Sequence, residues 1–234
     1  MSRVVSLGAL TASIAHEVNQ PLASIVTSSE TALRWLNLPE PNFEKVQQVL
    51  KRVVHDARRA ADIIDRIRTM ASKGEPKRSE ITLAEIITEC TALLHHEFQS
   101  RNVSISLDLA SNLPKVMVDR TQLQQVIVNL VINAAQAVTN AEVAQRSIAI
   151  RTQQIDAETV CCIVEDSGPG IDAEHLPHLF DSFFTTKETG MGLGLPIARS
   201  IIEAHDGCVR ADNSSTLGGA RLIVELPASR SVSL

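Results

Sequence analysis

The chain reads as an α + α/β protein, a helical hairpin followed by a separate mixed α/β domain. Three observations predict this. The first 71 residues carry helical periodicity only. A polar stretch with Gly and Pro, Ser72–Ser79, then breaks the pattern. Beyond it, short alternating runs typical of strands interleave with amphipathic helices.

The first helix is expected from about residue 4 to Asn37, with an apolar stripe of Leu7, Leu10, Ile14, Val18, Leu22 and Ile25. Pro21 lacks a backbone donor and should bend it, and Pro39 and Pro41 end it in a short turn. A second helix is expected from Phe43 to about Ala71. Its seam of Val46, Leu50, Val53, Ala57, Ala60, Ile64, Ile67 and Ala71 alternates steps of four and three, the signature of a bundle. A hairpin with one apolar side cannot bury that side alone, so pairing with a second copy as a dimeric four-helix bundle is expected. The resulting organisation is a hairpin domain over 1–72, a linker over 73–80 and a second domain over 81–230.

In the second domain, Leu83–Gln99 reads as a helix and Val103–Leu109 and Val116–Val118 as strands. Asp119–Val138 reads as a helix capped by Asp119, with Gln122 three residues on. Arg146–Thr152 and Thr159–Glu165 look like neighbouring strands. Leu195–His205 is a helix with Pro196 in its first turn, and Cys208–Asp212 and Ala220–Leu226 close as strands.

Composition narrows the function classes. With 234 residues, 44% hydrophobic and 21% charged, the chain suits one large or two small globular domains. A net charge of -5, no Tyr and a single Trp argue against nucleic-acid binding. Four cysteines without metal-ligand spacing point to a reducing compartment. No apolar run is long enough to span a bilayer, so a cytoplasmic segment without membrane contact is expected.

Four features carry chemistry. His16 and Glu17 stand side by side on the polar face of the first helix, in His-Glu-Val-Asn-Gln-Pro. Asn129 and Asn133 lie four apart on one helix face, with Gln125 and Gln136 close by, and such amides suit phosphate oxygens or neutral metal ligation. A buried-looking strand ends in Glu165-Asp166-Ser-Gly168-Pro-Gly170, where a carboxylate can meet a ligand amine and glycines let the backbone come close. Finally, Phe183-Phe184-Thr-Thr-Lys187 precedes Gly190-Met-Gly192-Leu-Gly194, which opens a helix and offers backbone N–H groups to phosphate. Each alone also fits a plain polar face, a Gly-Pro-Gly turn or a loop pinned by aromatics. Their order is the stronger signal.

Taken in that order, the boxes resemble the catalytic core of a sensor histidine kinase, with a GHKL-type ATP-binding α/β sandwich behind a phospho-acceptor hairpin. In motif style they are similar to the oxygen-sensing kinases of nitrogen-fixing bacteria. The resemblance implies ATP and Mg²⁺ as cofactors, with Asn133 holding the metal and Asn129 supporting the phosphates. Asp166 would accept from the adenine amino group, Gly168 and Gly170 would pass close to the base, and Lys187 would meet the terminal phosphates. Gly190, Gly192 and Gly194 would close a lid of about residues 171–189. His16 would take the phosphoryl group, assisted by Glu17, and pass it to a response regulator receiver domain. The acceptor helix begins almost at residue 1, so an upstream sensor segment is expected to be missing from this chain.

Gln20 stands where many relatives carry Thr or Asn for dephosphorylating the regulator, and Ala220 where they often have Thr near the adenine. A degenerate dimer that binds nucleotide or regulator without phosphotransfer is the alternative reading. A gyrase- or chaperone-type ATPase would leave the His16 box unexplained.

Overall fold

In the computed structural model, backbone is described for residues 2–71, 77–141, 143, 145–187, 192–214 and 216–229. Side chains are not described for residues 2–18, 59, 62, 63 and 65–71. The chain divides into two compact units, Met1–Lys73 and Gly74–Leu234.

The first unit is the hairpin. Helix α1 (Ser2–Leu36) continues through Pro21, and α2 (Phe43–Ala71) packs along it. Asn42 begins α2, its side-chain oxygen accepting from the Lys45 amide at 3.0 Å. The Lys45 ammonium lies 4.1 Å from the centre of the Trp35 ring and closes the turn.

The heptad seam of α2 is not one face but two. Val46 and Ala60 are buried and Val53 half-buried, opposite Pro21, Ser28 and Ala32 of α1. The other row, Leu50, Ala57 and Ile64, is exposed, as are Val54 of α2 and Leu22, Val26 and Leu33 of α1. The two rows are offset by three to four residues, and α1 covers only the first of them, so half the seam stays open. A polar contact crosses the hidden half: the Ser24 hydroxyl donates to the Asp56 carboxylate at 2.6 Å.

The second unit is a two-layer sandwich. In chain order it comprises β1 (Arg78–Ile81), α3 (Leu83–Ser100), β2 (Ser104–Leu109), β3 (Val116–Asp119) and α4 (Arg120–Asn140). These are followed by β4 (Ser147–Gln154), β5 (Thr159–Asp166), α5 (Gly194–Ala204), β6 (Cys208–Asn213) and β7 (Ala220–Pro227). Five strands form a sheet in the order β2-β4-β5-β7-β6, antiparallel except for the β2–β4 pair. Helix α4 lies centrally, packing on α3, α5, β4 and β5. The core is aliphatic: Ile86, Ile87, Leu123, Ile127, Leu130, Ile150 and Ile202 are fully buried.

Asp119 caps α4 as expected, accepting from the Gln122 amide at 3.1 Å. Its other oxygen accepts from the Lys77 amide at 2.9 Å. The linker reading needs one correction. Residues 78–80 are not linker but the start of β1, which pairs antiparallel with β3. Polar composition marked the segment as a break, whereas its strand partner lies some forty residues downstream, beyond any local signal. Among the described residues, no helix is long and apolar enough to cross a membrane.

Candidate functional site

Among the described residues, Lys187, Gly168 and Gly194 of the expected site lie against α4. Asn129, Asn133 and Gln136 project from this helix, and its N-terminal half is fixed by the Asp119 cap. The Lys187 ammonium reaches them from the loop before α5, donating to Gln136 Oε1 at 2.7 Å and to Asn133 Oδ1 at 3.2 Å. Two side-chain carbonyl oxygens thus face one positive charge. Asn129 does something different: its Nδ2 donates to the Gly194 carbonyl at 3.3 Å and ties α4 to the first residue of α5.

Phe183-Phe184-Thr-Thr-Lys187 rests directly on the glycine run. Phe183 adopts a left-handed backbone (φ 70°), and its amide donates to the Gly192 carbonyl at 3.2 Å. Gly192 also has positive φ (61°), and a Cβ there would stand 2.3 Å from the Phe184 carbonyl oxygen. Only glycine permits that approach. The aromatics do pin the loop: Phe184 packs against the His175 and His178 rings at 5.5 and 6.0 Å, and Arg199 lies 5.7 Å from the Phe180 ring. Gly190 and residues 188, 189 and 191 lie outside the described residues.

Asp166 ends β5 and is 4% exposed. Burial pushes its carboxyl above the ordinary range, while the Gly168 and Ala220 amides and the Lys187 charge pull the other way. Both amides donate to the same oxygen, Oδ1, from 2.8 and 3.2 Å. The Gly219 amide donates to the Asp166 carbonyl at 3.0 Å. Gly168 packs against Ala137 of α4, and Gly170 has φ 81° where Asn213 holds the next residue, accepting from the Ile171 amide at 2.7 Å.

The sequence places Gln136 near the site without a role, and Ala220 near the adenine only as a side chain that lacks a hydroxyl; the roles of its amide and of the Gly219 amide come from the structure. The Gly218-Gly219 pair before the last strand was the available signal. His16 and Glu17 lie on α1, but their side chains are outside those described.

The chemistry is that of anion and base recognition. A cation with amide oxygens stands beside a glycine run at a helix start, and a buried carboxylate that feels the same cation lies in the same unit. An α/β unit of this kind behind a helical hairpin with a His-Glu box defines a two-part phosphotransfer core. The comparisons give the family. Residues 118–230 match the "Histidine kinase-, DNA gyrase B-, and HSP90-like ATPase" family, and residues 6–76 match the "His Kinase A (phospho-acceptor) domain".

The chain is 35% identical over 98% of its length to sensor histidine kinase TmoS of Ectopseudomonas mendocina, covering 24% of that protein. It is 37% identical, again over 98% of its length, to sensor protein FixL of Bradyrhizobium diazoefficiens, covering 45% of it. It thus spans less than half of either curated relative. Among solved structures, the catalytic domain of histidine kinase ThkA is 33% identical, with a TM-score of 0.58 over 65% of this chain and 96% of that one. ThkA in complex with response regulator protein TrrA gives 27% identity and a TM-score of 0.73 over 97% of this chain and 63% of that one. The chain belongs to the sensor histidine kinases, with a phospho-acceptor hairpin and an ATP-binding GHKL domain.

Proposed function

We propose that this chain is the ATP-dependent autokinase core of a two-component system, and that His16 is its phospho-acceptor. The observation that carries the reading is the convergence of Lys187, Asn133 and Gln136 beside the glycine run, with buried Asp166 in the same unit. That pairing suits a triphosphate at one end and an adenine at the other.

In this reading Asp166 accepts from the adenine amino group through Oδ2, because Oδ1 is already bonded to two backbone amides. Gly168 and Gly170 let the backbone pass the base, and Lys187 moves from its amide partners onto the terminal phosphates. Gly192 and Gly194 shape the loop around them, and Gly190 completes the run. Asn129 supports the phosphates indirectly, by holding the start of α5.

The donor set fits Mg²⁺. Asn133 Oδ1 already faces a cation, and a neutral oxygen donor matches an ion that keeps waters and phosphate oxygens as its other ligands. Asn133 would hold it, and when bound it would neutralise charge on the β- and γ-phosphates. The residues of the chain do the rest. Positioning and charge neutralisation dominate phosphoryl transfer, so the cradle's task is to present the γ-phosphorus in line. A lone pair of the neutral His16 imidazole attacks it, and the bond to the bridging oxygen breaks to release ADP. Glu17 orients the ring or takes the proton of its other nitrogen. The phosphoryl group then passes to an aspartate of a response regulator. Homodimerisation through the exposed rows of the hairpin completes the acceptor unit, supported by their apolar character.

Incubation with Mg-ATP tests the proposal. The expected product is a protein-bound phosphate that is acid-labile and base-stable, lost in His16→Gln while ATP binding is retained. ATP binding without any labelling of the unaltered protein would favour the non-transferring reading instead.

A further inference from the structure

A second carboxylate lies next to Asp166, and the proposed chemistry does not use it. Glu165 is 2% exposed. Neighbouring strand residues point to opposite faces, so Glu165 lies on the side of β5 away from Asp166. Its Oε2 accepts from the Arg151 guanidinium of β4, and its Oε1 accepts from the Ser214 hydroxyl at 2.8 Å. A buried carboxylate this well partnered is costly to assemble, and it does not touch the cradle.

What it holds is the turn between β6 and β7. The Ser214 hydroxyl accepts from the Thr216 and Leu217 amides at 3.1 and 3.0 Å. The Ser214 amide donates to the Gly219 carbonyl at 2.7 Å, and the Gly218 amide to the Ser214 carbonyl at 3.2 Å. The far end of the same turn supplies the two amides that fix Asp166, from Gly219 to its carbonyl and from Ala220 to Oδ1. Glu165, Ser214 and the turn therefore form one hydrogen-bonded loop that starts and ends on adjacent residues of β5, with Arg151 bonded to its first member.

We infer that Glu165 and Ser214 are positioning residues for base selection: by fixing the 214–219 turn they hold the Asp166 carboxylate in the orientation that discriminates a 6-amino purine. Arg151 pairs with Glu165 on the side away from Ser214 and completes its partners. The inference rests on the proposed role of Asp166 as the adenine acceptor.

The test compares ADP with IDP, which carries an oxygen in place of the amino group, by calorimetric titration of the full chain. The ratio of the two dissociation constants is independent of the fraction of protein that is active. Ser214→Ala removes the bond to Glu165 and the acceptor for two turn amides. It is expected to weaken ADP about fivefold, as loss of one such bond implies, while IDP changes less than about twofold by the same reasoning. Discrimination falls accordingly. Ser214→Thr keeps the hydroxyl and should restore the ratio, and Glu165→Gln, which keeps an acceptor for Ser214 but leaves Arg151 unpaired, should fall between. A merely structural role would lower the melting temperature and leave the ratio untouched, so an unchanged ratio in Ser214→Ala overturns the inference. If the unaltered protein does not discriminate, or Asp166→Asn keeps full discrimination, the adenine reading of Asp166 fails and takes the inference with it.

Discussion

Gly219 offers a quantitative test of the cradle. A methyl group there would stand 2.2 Å from Asp166 Oδ1, 2.3 Å from its carbonyl oxygen and 2.5 Å from the Gly168 nitrogen. Two of these are backbone atoms and the third, the carboxylate oxygen, is held by the Gly168 and Ala220 amides, so Gly219→Ala must push the turn off β5. Two bonds are lost, from the Gly219 amide to the Asp166 carbonyl and from the Ala220 amide to the carboxylate. A neutral bond contributes about 1 kcal/mol and one to a charged group about 1.5–3 kcal/mol, so the loss is about 2.5–4 kcal/mol. For a unit of this size that lowers the melting temperature by about 5–15 °C. Scanning calorimetry of the full chain reads it, and ADP affinity should fall at least about tenfold, the equivalent of about 1.4 kcal/mol. Gly218→Ala is the control. Its Cβ would meet nothing within 4 Å, but φ is +85°, so only the left-handed penalty of about 1–2 kcal/mol applies. Gly219→Ala melting within about 1 °C of the unaltered protein, with normal ADP affinity, would refute the close approach and the hydrogen-bond reasoning together.

Other perturbations separate the parts of the account. Lys187→Ala should weaken ATP more than ADP, shrinking the ratio of their affinities, because the ammonium is assigned to the terminal phosphates; equal losses measured by titration would contradict that assignment. Acidification should release ADP above the ordinary carboxylate range, because burial raises the Asp166 carboxyl and the ionised form is the acceptor. Folding runs the other way. The native carboxyl holds its proton to higher pH than the unfolded chain does, so its stability contribution is lost as pH rises through the folded-state pKa. An acid limb in the ADP affinity profile that persists in Asp166→Asn would assign the effect elsewhere. Leu50→Lys with Val54→Lys should shift the chain from dimer to monomer in sedimentation, since both side chains are exposed on the hairpin. A dimer of undiminished stability would move the interface to another face.

Much of the fold was legible because its signals are local. The Asp119 cap, Pro196 in the first turn of α5 and the continuous apolar run Val160–Val164 each fix an element within a few residues of the motif. The candidate site was legible as a series of boxes for the same reason. What escaped depends on contacts between distant segments. β1 needs β3 before it counts as a strand. The α2 seam reads as one stripe until α1 takes one of its two rows. Asn129 looks like a phosphate ligand until α5 is seen to lie against it. Ser214 meets Glu165 across 49 residues of chain, and Ala220 meets Asp166 across 54, and neither pairing has a local signature.

The account turns on one transfer, from a nucleotide held in the C-terminal unit to an imidazole of the N-terminal hairpin. Mass spectrometry of peptides from Mg-ATP-treated protein, prepared at alkaline pH to preserve phosphoramidates, reads the acceptor directly. The account predicts the added phosphate on His16, and its disappearance in Asn133→Asp, whose acceptor histidine is intact. Phosphate on His55 or another residue, with His16 unmodified, would contradict it.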